Sequence, residues 1–306
     1  MVTSQGAWRE RRGWLLRLQA GPGRLGWGEA LAEPEAWGVL QQAIHALPAV
    51  LEREALERQL PLLPLPLACA AGLALAELDG LGDPAAGGWR PAPPSAWLLP
   101  AGEAALEALE AVLGAAAAQA LPLTFKWKVA AGSDAEERAL LELLLQHLPA
   151  GARLRLDANG GWSRATAAAW ARRLQADPRL EWLEQPLAPE DQPGLEALAA
   201  QLPVALDESL RLRPGLMAAG AWCGWQVRRP LLEGDPRPLL AALRAGTPRL
   251  MLSTALETGI GRRLVQHLAA LQAGGPTPTA PGLAPGWRPA GPLFAADPAQ
   301  VWEAAA

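Results

Sequence analysis

Arg153-Leu154-Arg155-Leu156-Asp157-Ala158-Asn159-Gly160 is the stretch that decides the fold. Polar and apolar residues alternate up to Asp157, so Leu154 and Leu156 share one side of an extended strand while Arg155 and Asp157 share the other. An acidic residue closes the strand and a turn sequence follows. The same form returns in Glu181-Trp182-Leu183-Glu184 and in Val204-Ala205-Leu206-Asp207. From Asp157 to Glu184 is 27 positions and from Glu184 to Asp207 is 23, the span of one strand plus one crossover helix. Further strands are expected at 97–99, 123–129, 224–227 and 249–253, with Ala/Leu-rich helical stretches between them. Strands and helices alternating in this way predict an α/β fold built as a parallel βα barrel.

The first ninety or so residues read differently, as an α+β unit. Positions 14–19 alternate, Gly21, Gly23 and Gly26 make a turn, and 26–30 return as the second strand of a hairpin. Helical patterns cover 33–58 and 66–78, and the Gly/Pro-rich stretch 81–94 reads as a linker. The expected division is residues 1–94 for the first domain and 95–287 for the barrel. The Pro/Gly-rich residues 274–292 read as loops, and the tail from about 288 to 306 is expected to pack back on the first domain.

Composition narrows the partners. The net charge of −4 is spread over interspersed acids and bases, which gives no basic patch for nucleic acid or an anionic membrane. Cys69 and Cys223 stand far apart, without His or Cys at ligand spacing, so neither a disulfide framework nor a zinc site is expected. No apolar run follows the basic N-terminal residues, and none is long enough to cross a bilayer. These features predict a protein of a reduced, cytoplasmic setting with a small-molecule partner. Oligomeric state is not written in the sequence. His45, His147 and His267 lie in helical stretches away from the strand ends and read as packing or surface residues.

In a parallel barrel, neighbouring strands bring their C-terminal ends together on the face that carries active sites. Asp157, Glu184 and Asp207 would then converge, and three converging carboxylates repel one another unless a cation lies among them. Hard oxygen ligands in this number suit Mg²⁺ or Mn²⁺. The alternative is that each acid merely caps the helix after it. One strand earlier, Thr124-Phe125-Lys126-Trp127-Lys128 places two lysines two residues apart, hence on one face. Close ammonium groups depress each other's pKa, and a neutral amine near pH 7 is what a general base requires. The alternative for the pair is an edge strand with solvated lysines.

The lysine pair, then Asp157-Ala158-Asn159-Gly160 with Trp162, then Glu184-Gln185-Pro186 and Asp207-Glu208-Ser209, resembles the muconate-lactonizing subgroup of the enolase superfamily. Gly26-Trp27-Gly28-Glu29-Ala30 matches a segment of that subgroup's N-terminal domain, so the resemblance covers nearly the whole chain. It implies an α+β N-terminal capping domain and a modified (β/α)₇β TIM-type barrel. It implies one Mg²⁺ held by Asp157, Glu184 and Asp207, and removal of a proton α to a substrate carboxylate. Lys128 would be the base, Lys126 its electrostatic assistant, and Asn159 and Glu208 the groups that orient the metal ligands.

The sixth strand selects among members of the subgroup. Gln226-Val227-Arg228-Arg229-Pro230 carries Arg229 where two-base racemases of the subgroup need a lysine, with Arg228 as the alternative match. A guanidinium does not deprotonate, so it cannot alternate as acid and base. A one-base reaction tolerates the exchange, with Arg229 a standing cation. Within the subgroup the chain most resembles the o-succinylbenzoate synthases, and that resemblance implies dehydration of a succinylated hydroxycyclohexadiene carboxylate in menaquinone or phylloquinone synthesis. Leu252-Ser253-Thr254-Ala255-Leu256-Glu257-Thr258-Gly259 resembles the seventh-strand segment, in which Ser253 and Thr254 would bind a substrate carboxylate. Pro281-Gly282-Leu283 resembles the eighth. The Gly21–Gly26 turn is expected to be a flexible lid, with Arg24 a candidate partner for a substrate carboxylate. The alternatives are a muconate-type cycloisomerase, an N-succinylamino acid racemase, or an inactive relative that only binds.

Overall fold

Two antiparallel ladders begin the chain: β1 (Val2–Thr3) with β2 (Gly6–Ala7), then the hairpin β3 (Arg12–Gln19) and β4 (Leu25–Ala32). Three helices follow, α1 (Trp37–His45), α2 (Arg53–Gln59) and α3 (Leu65–Leu78). These come from a computed structural model, which describes residues 2–3, 6–7, 12–116 and 123–305. The N-terminal residues read above for a targeting signal lie mostly outside the described residues. The single helical stretch expected over 33–58 is two helices, because Pro48 lacks the N–H that an uninterrupted helix needs there.

Beyond the hairpin unit, strand and helix alternate. In order come β5 (Trp97–Leu99), α4 (Ala104–Ala116), β6 (Thr124–Lys128), α5 (Asp134–His147), β7 (Arg153–Asp157), α6 (Arg164–Leu174), β8 (Leu180–Glu184), α7 (Gln192–Ala199) and β9 (Val204–Leu206). Then come α8 (Glu208–Leu212), β10 (Trp225–Arg228), α9 (Arg237–Arg244), β11 (Leu250–Leu252), α10 (Gly259–Ala273) and α11 (Pro298–Ala305). The seven strands from β5 to β11 form one sheet in chain order, with parallel pairing from β5 through β10. A doubly wound sheet reverses its strand order at a switch point, and this one does not. Same-handed crossovers between sequential neighbours produce a barrel-type α/β fold. An eighth strand is reduced to one parallel bridge, Ser253 with Gly282. By contact the chain forms two compact units, one of Met1–Pro93, Arg228–Pro248 and Leu252–Ala306, the other of Pro94–Val227 and Arg249–Met251.

Period-two alternation builds the core of the second unit. Phe125, Trp127, Leu154, Leu156 and Leu183 pack against Leu140, Leu141 and Leu144 of α5 and Trp170 of α6. The opposite face carries a smaller cluster of Trp182, Ala205, Val227 and Met251. Tryptophan supplies most of the large side chains, with Trp162 stacked on Trp170 at 4.9 Å between ring centroids.

In the first unit the hairpin lies on α3, whose residues from Leu67 to Ala76 are buried. Close approach depends on the absence of side chains. A Cβ at Gly28 would overlap the Ala70 carbonyl, and one at Gly26 the Ala74 carbonyl. The tail packs here too, with Trp302 edge-on to Trp27 and Arg17 over the Trp302 ring. The Arg24 guanidinium donates to the Leu78 carbonyl at the end of α3. Buried Glu29, on β4, accepts hydrogen bonds from Thr258 N, Thr258 Oγ1 and Gly261 N, capping α10. Burial pushes its carboxyl from the ordinary 4.5 up to about 7, against the pull of those donors.

Two predictions concern stability. Gly28→Ala should cost about 1–3 kcal/mol by forcing the hairpin off α3, whereas Gly38→Ala, in open space on α1, should be neutral or stabilising. Equal melting temperatures for the two variants would contradict the packing argument. For Glu29 the folded pKa lies above the unfolded one, so its contribution is complete below pH 4.5 and fades as the pH rises toward 7. Urea unfolding should show the wild type losing up to about 3 kcal/mol relative to Glu29→Gln across that window. A pH-independent difference would show that Glu29 stays ionised throughout.

Candidate active site

Strand register decides which side chains meet in the second unit. Ladder pairing sets Lys128 opposite Asp157 and Asp157 opposite Glu184. Alternation puts Lys126 on the face of Lys128, and Trp182 on the face of Glu184. The Lys126 ammonium lies 2.9 Å from Asp157 Oδ2 and 2.5 Å from Glu184 Oε1. Lys128, partly buried, takes no part in either ion pair. Asp207 stands just past β9 at the position that would cap α8, yet its side chain makes no capping hydrogen bond. The helix-cap alternative therefore fails for this acid.

The cluster is strongly anionic for its degree of burial. Glu184 is completely buried, which pushes its carboxyl up; Lys126 pulls it down, and the charges of Asp157 and Asp207 push it up again. Glu208 is pushed up to about 7 by burial and then by Asp207 and Asp157. Its Oε1 accepts from Asn159 Nδ2 at 3.0 Å. Glu208 Oε2 and Asn159 Oδ1 are buried without a hydrogen-bond partner. With the side chains as they stand, no three His, Cys, Asp or Glu among the described residues are grouped to hold a metal ion. The donor chemistry nevertheless fits a hard divalent cation, since buried carboxylates outnumber the ammonium they share and one carboxylate oxygen is left unpaired.

The loops after the strands are shaped for this convergence. Asn159 adopts a left-handed φ of 44° and donates its N–H to Asp157 Oδ1, folding the chain back directly after the acid. Gln185 is also left-handed, at φ 35°, and its buried amide joins two strand ends. Its oxygen accepts from Asp207 N and Ser209 N, and its nitrogen donates to the Leu187 carbonyl and Ser209 Oγ. The sequence signals Gln185 only as the residue between Glu184 and Pro186. Which atoms its amide reaches is invisible there.

The other predicted residues belong to the first unit. Arg229 Nη1 donates to the Thr254 carbonyl at 2.9 Å, while Arg228 forms an ion pair with Glu233. Ser253 N donates to the Arg228 carbonyl and Thr254 N to the Gly282 carbonyl. Thr254 Oγ1 donates to Glu257, and Ser253 Oγ makes a longer 3.3 Å bond to the Gly282 carbonyl. Both hydroxyls are thus engaged within the fold. His267 is buried and accepts from Arg90 N, His147 bonds the Leu143 carbonyl, and His45 lies edge-on to Trp14. None of the three touches the acidic cluster in these contacts.

Residues 108–220 match the family described as "Enolase C-terminal domain-like". The chain is 37% identical over 284 residues to o-succinylbenzoate synthase of Thermosynechococcus vestitus, covering 88% of this chain and 84% of that one. It is 31% identical to the synthase of Yersinia enterocolitica, covering 85% and 79%. Among solved structures, it superposes on o-succinylbenzoate synthase from Thermosynechococcus elongatus, complexed with Mg in the active site, with TM-score 0.81 and 33% identity, over 99% of this chain and 95% of that one. Muconate cycloisomerase from Pseudomonas fluorescens shares the fold, with TM-score 0.65, 24% identity and coverage of 84% and 78%. The modified barrel with an α+β N-terminal domain is therefore the fold of this chain.

Gln185→Leu should cost about 2–4 kcal/mol, because it strips the Asp207 and Ser209 N–H groups of their acceptor where water does not reach. Equilibrium unfolding measures it. A loss under about 1 kcal/mol would mean that the amide does not join the two strand ends.

Proposed function

The chain belongs to the o-succinylbenzoate synthase family of the enolase superfamily, and from that premise we propose that it dehydrates 2-succinyl-6-hydroxy-2,4-cyclohexadiene-1-carboxylate to 2-succinylbenzoate. The observation that carries this reading is the register Lys128–Asp157–Glu184 across three adjacent strands, which sets an amine beside a carboxylate cluster.

In the proposed mechanism Lys128, as the general base, removes the proton α to the ring carboxylate. The resulting ammonium gives that proton to the departing hydroxyl, so water leaves and the ring becomes aromatic. Lys126 stays protonated, held by Asp157 and Glu184, and lends positive charge where negative charge develops on the substrate carboxylate. Asp157, Glu184 and Asp207 would hold Mg²⁺, with Asn159 and Glu208 orienting them. When bound, the ion supplies the fixed positive charge that makes so weak a carbon acid ionisable. Arg229 serves as a permanent cation and takes no proton. In the Ser253–Thr254 segment, Ser253 Oγ has the weakest internal bond and is the hydroxyl we assign to a substrate carboxylate. Thr254 shapes the segment through Glu257.

Among the described residues no helix is long and apolar enough to cross a membrane; the cytoplasmic setting and the small-molecule partner are part of the proposal. The reaction is tested by following conversion of the cyclohexadiene to 2-succinylbenzoate with Mg²⁺ or with EDTA, for wild type and Lys128→Ala. Turnover should require Mg²⁺ and fall by at least about 10³-fold in the variant. Undiminished turnover by Lys128→Ala would remove the base assignment. A folded, Mg²⁺-loaded wild type that turns over N-succinylamino acids or muconates instead would overturn the reaction.

A further inference from the structure

The end of β10 contains a linkage that the reaction does not explain by itself. Glu233 closes the short turn after Pro230, and its two carboxylate oxygens face different partners. Oε2 accepts from Arg228 Nε at 2.9 Å and Arg228 Nη2 at 2.6 Å, while Oε1 accepts from the main-chain N–H of Arg229 at 2.6 Å. Both side chains of the ion pair are only 9% exposed. Arg229 precedes a proline and leaves the sheet with φ −115° and ψ 83°, so its N–H has no place in a ladder and depends on a side-chain acceptor. Its guanidinium meanwhile donates to the Thr254 carbonyl at 2.9 Å, joining the residue after β10 to the segment after β11.

We propose that Glu233, clamped by Arg228, is the positioning residue for Arg229. It holds the main chain of Arg229 where that guanidinium reaches Thr254, and so fixes the direction of the cation. The inference rests on the reading that Arg229 serves the reaction. It also divides the two adjacent arginines. The charge of Arg228 is engaged by Glu233. The Arg229 guanidinium reaches the Thr254 carbonyl instead. Charge alone would make the two interchangeable; the partners do not.

Glu233→Gln keeps the shape and removes the charge. Whichever way the amide turns, its NH₂ faces a donor, either the Arg229 N–H or the Arg228 guanidinium. The test is a double-mutant cycle of Glu233→Gln with Arg229→Met, reading kcat, KM and Mg²⁺ affinity by calorimetry. Glu233→Gln should lower kcat on the order of tenfold, with little change in KM and none in Mg²⁺ affinity. Added to Arg229→Met, it should lower kcat no further, because Glu233 acts through the residue already removed. An equal loss in both backgrounds would overturn the proposal and leave Glu233 a general stabiliser. If Arg229→Met is impaired and Glu233→Gln is not, the proposal fails while the reading of Arg229 survives. If Arg229→Met keeps wild-type kcat, that reading fails and the proposal goes with it. Should Glu233→Gln not fold, the paired Arg228→Met, Glu233→Met replacement removes the ion pair without stranding a buried charge, and the same cycle is read on it.

Discussion

Repulsion among carboxylates brought together at neighbouring strand ends is the constraint around which this protein is arranged. Asp157 and Glu184 face each other across a parallel ladder, and Asp207 and Glu208 follow one strand on. Two unit charges about 4 Å apart repel by roughly 4 kcal/mol near a protein surface and by more inside. Lys126 offsets part of this by touching two of the acids, and burial raises Glu184 and Glu208 against the remainder. Acids collected in this way form a standing demand for a cation, which is why a family of such barrels can put a divalent ion to chemical use.

Holding that arrangement requires backbone that will not relax. Left-handed Asn159 and Gln185 turn the chain sharply directly after Asp157 and Glu184, at the two places where an ordinary strand exit would let the acids separate. Gln185 converts the strain into a join, since every polar atom of its amide is used on the neighbouring strand end or its own loop. In the first unit, buried and half-buried carboxylates do similar work. Glu29 caps α10, Glu257 gathers the segment after β11, and Glu233 holds the exit of β10. Each accepts from backbone N–H groups that would otherwise be orphaned at an element end.

The adjacent arginines illustrate how position divides identical side chains. Arg228 is paired with Glu233, whereas Arg229 reaches across to the Thr254 carbonyl. A lysine at Arg229 would have one ammonium and a titratable proton; the guanidinium offers a fixed charge and several donors at once. One of those donors is already committed to the main chain, which suits a group meant to stay in place.

The strands, their order and the acids that end them were legible in the sequence because a half-buried strand repeats every two residues and a crossover has a minimum length. Leu154, Leu156, Asp157 and the spacing to Glu184 and Asp207 carry that information locally. Pro48 was overlooked, because the apolar pattern running through it hid the break. What only the tertiary structure decided is partner choice across long stretches of chain. Examples are Lys126 bridging two acids, Gln185 reaching Asp207 and Ser209, Arg24 used to close α3, and Thr254 bonded to Glu257 and not held open. Hydrogen bonds depend on atomic positions to within a few tenths of an ångström, and no periodicity in a sequence encodes distance between residues that only folding brings together.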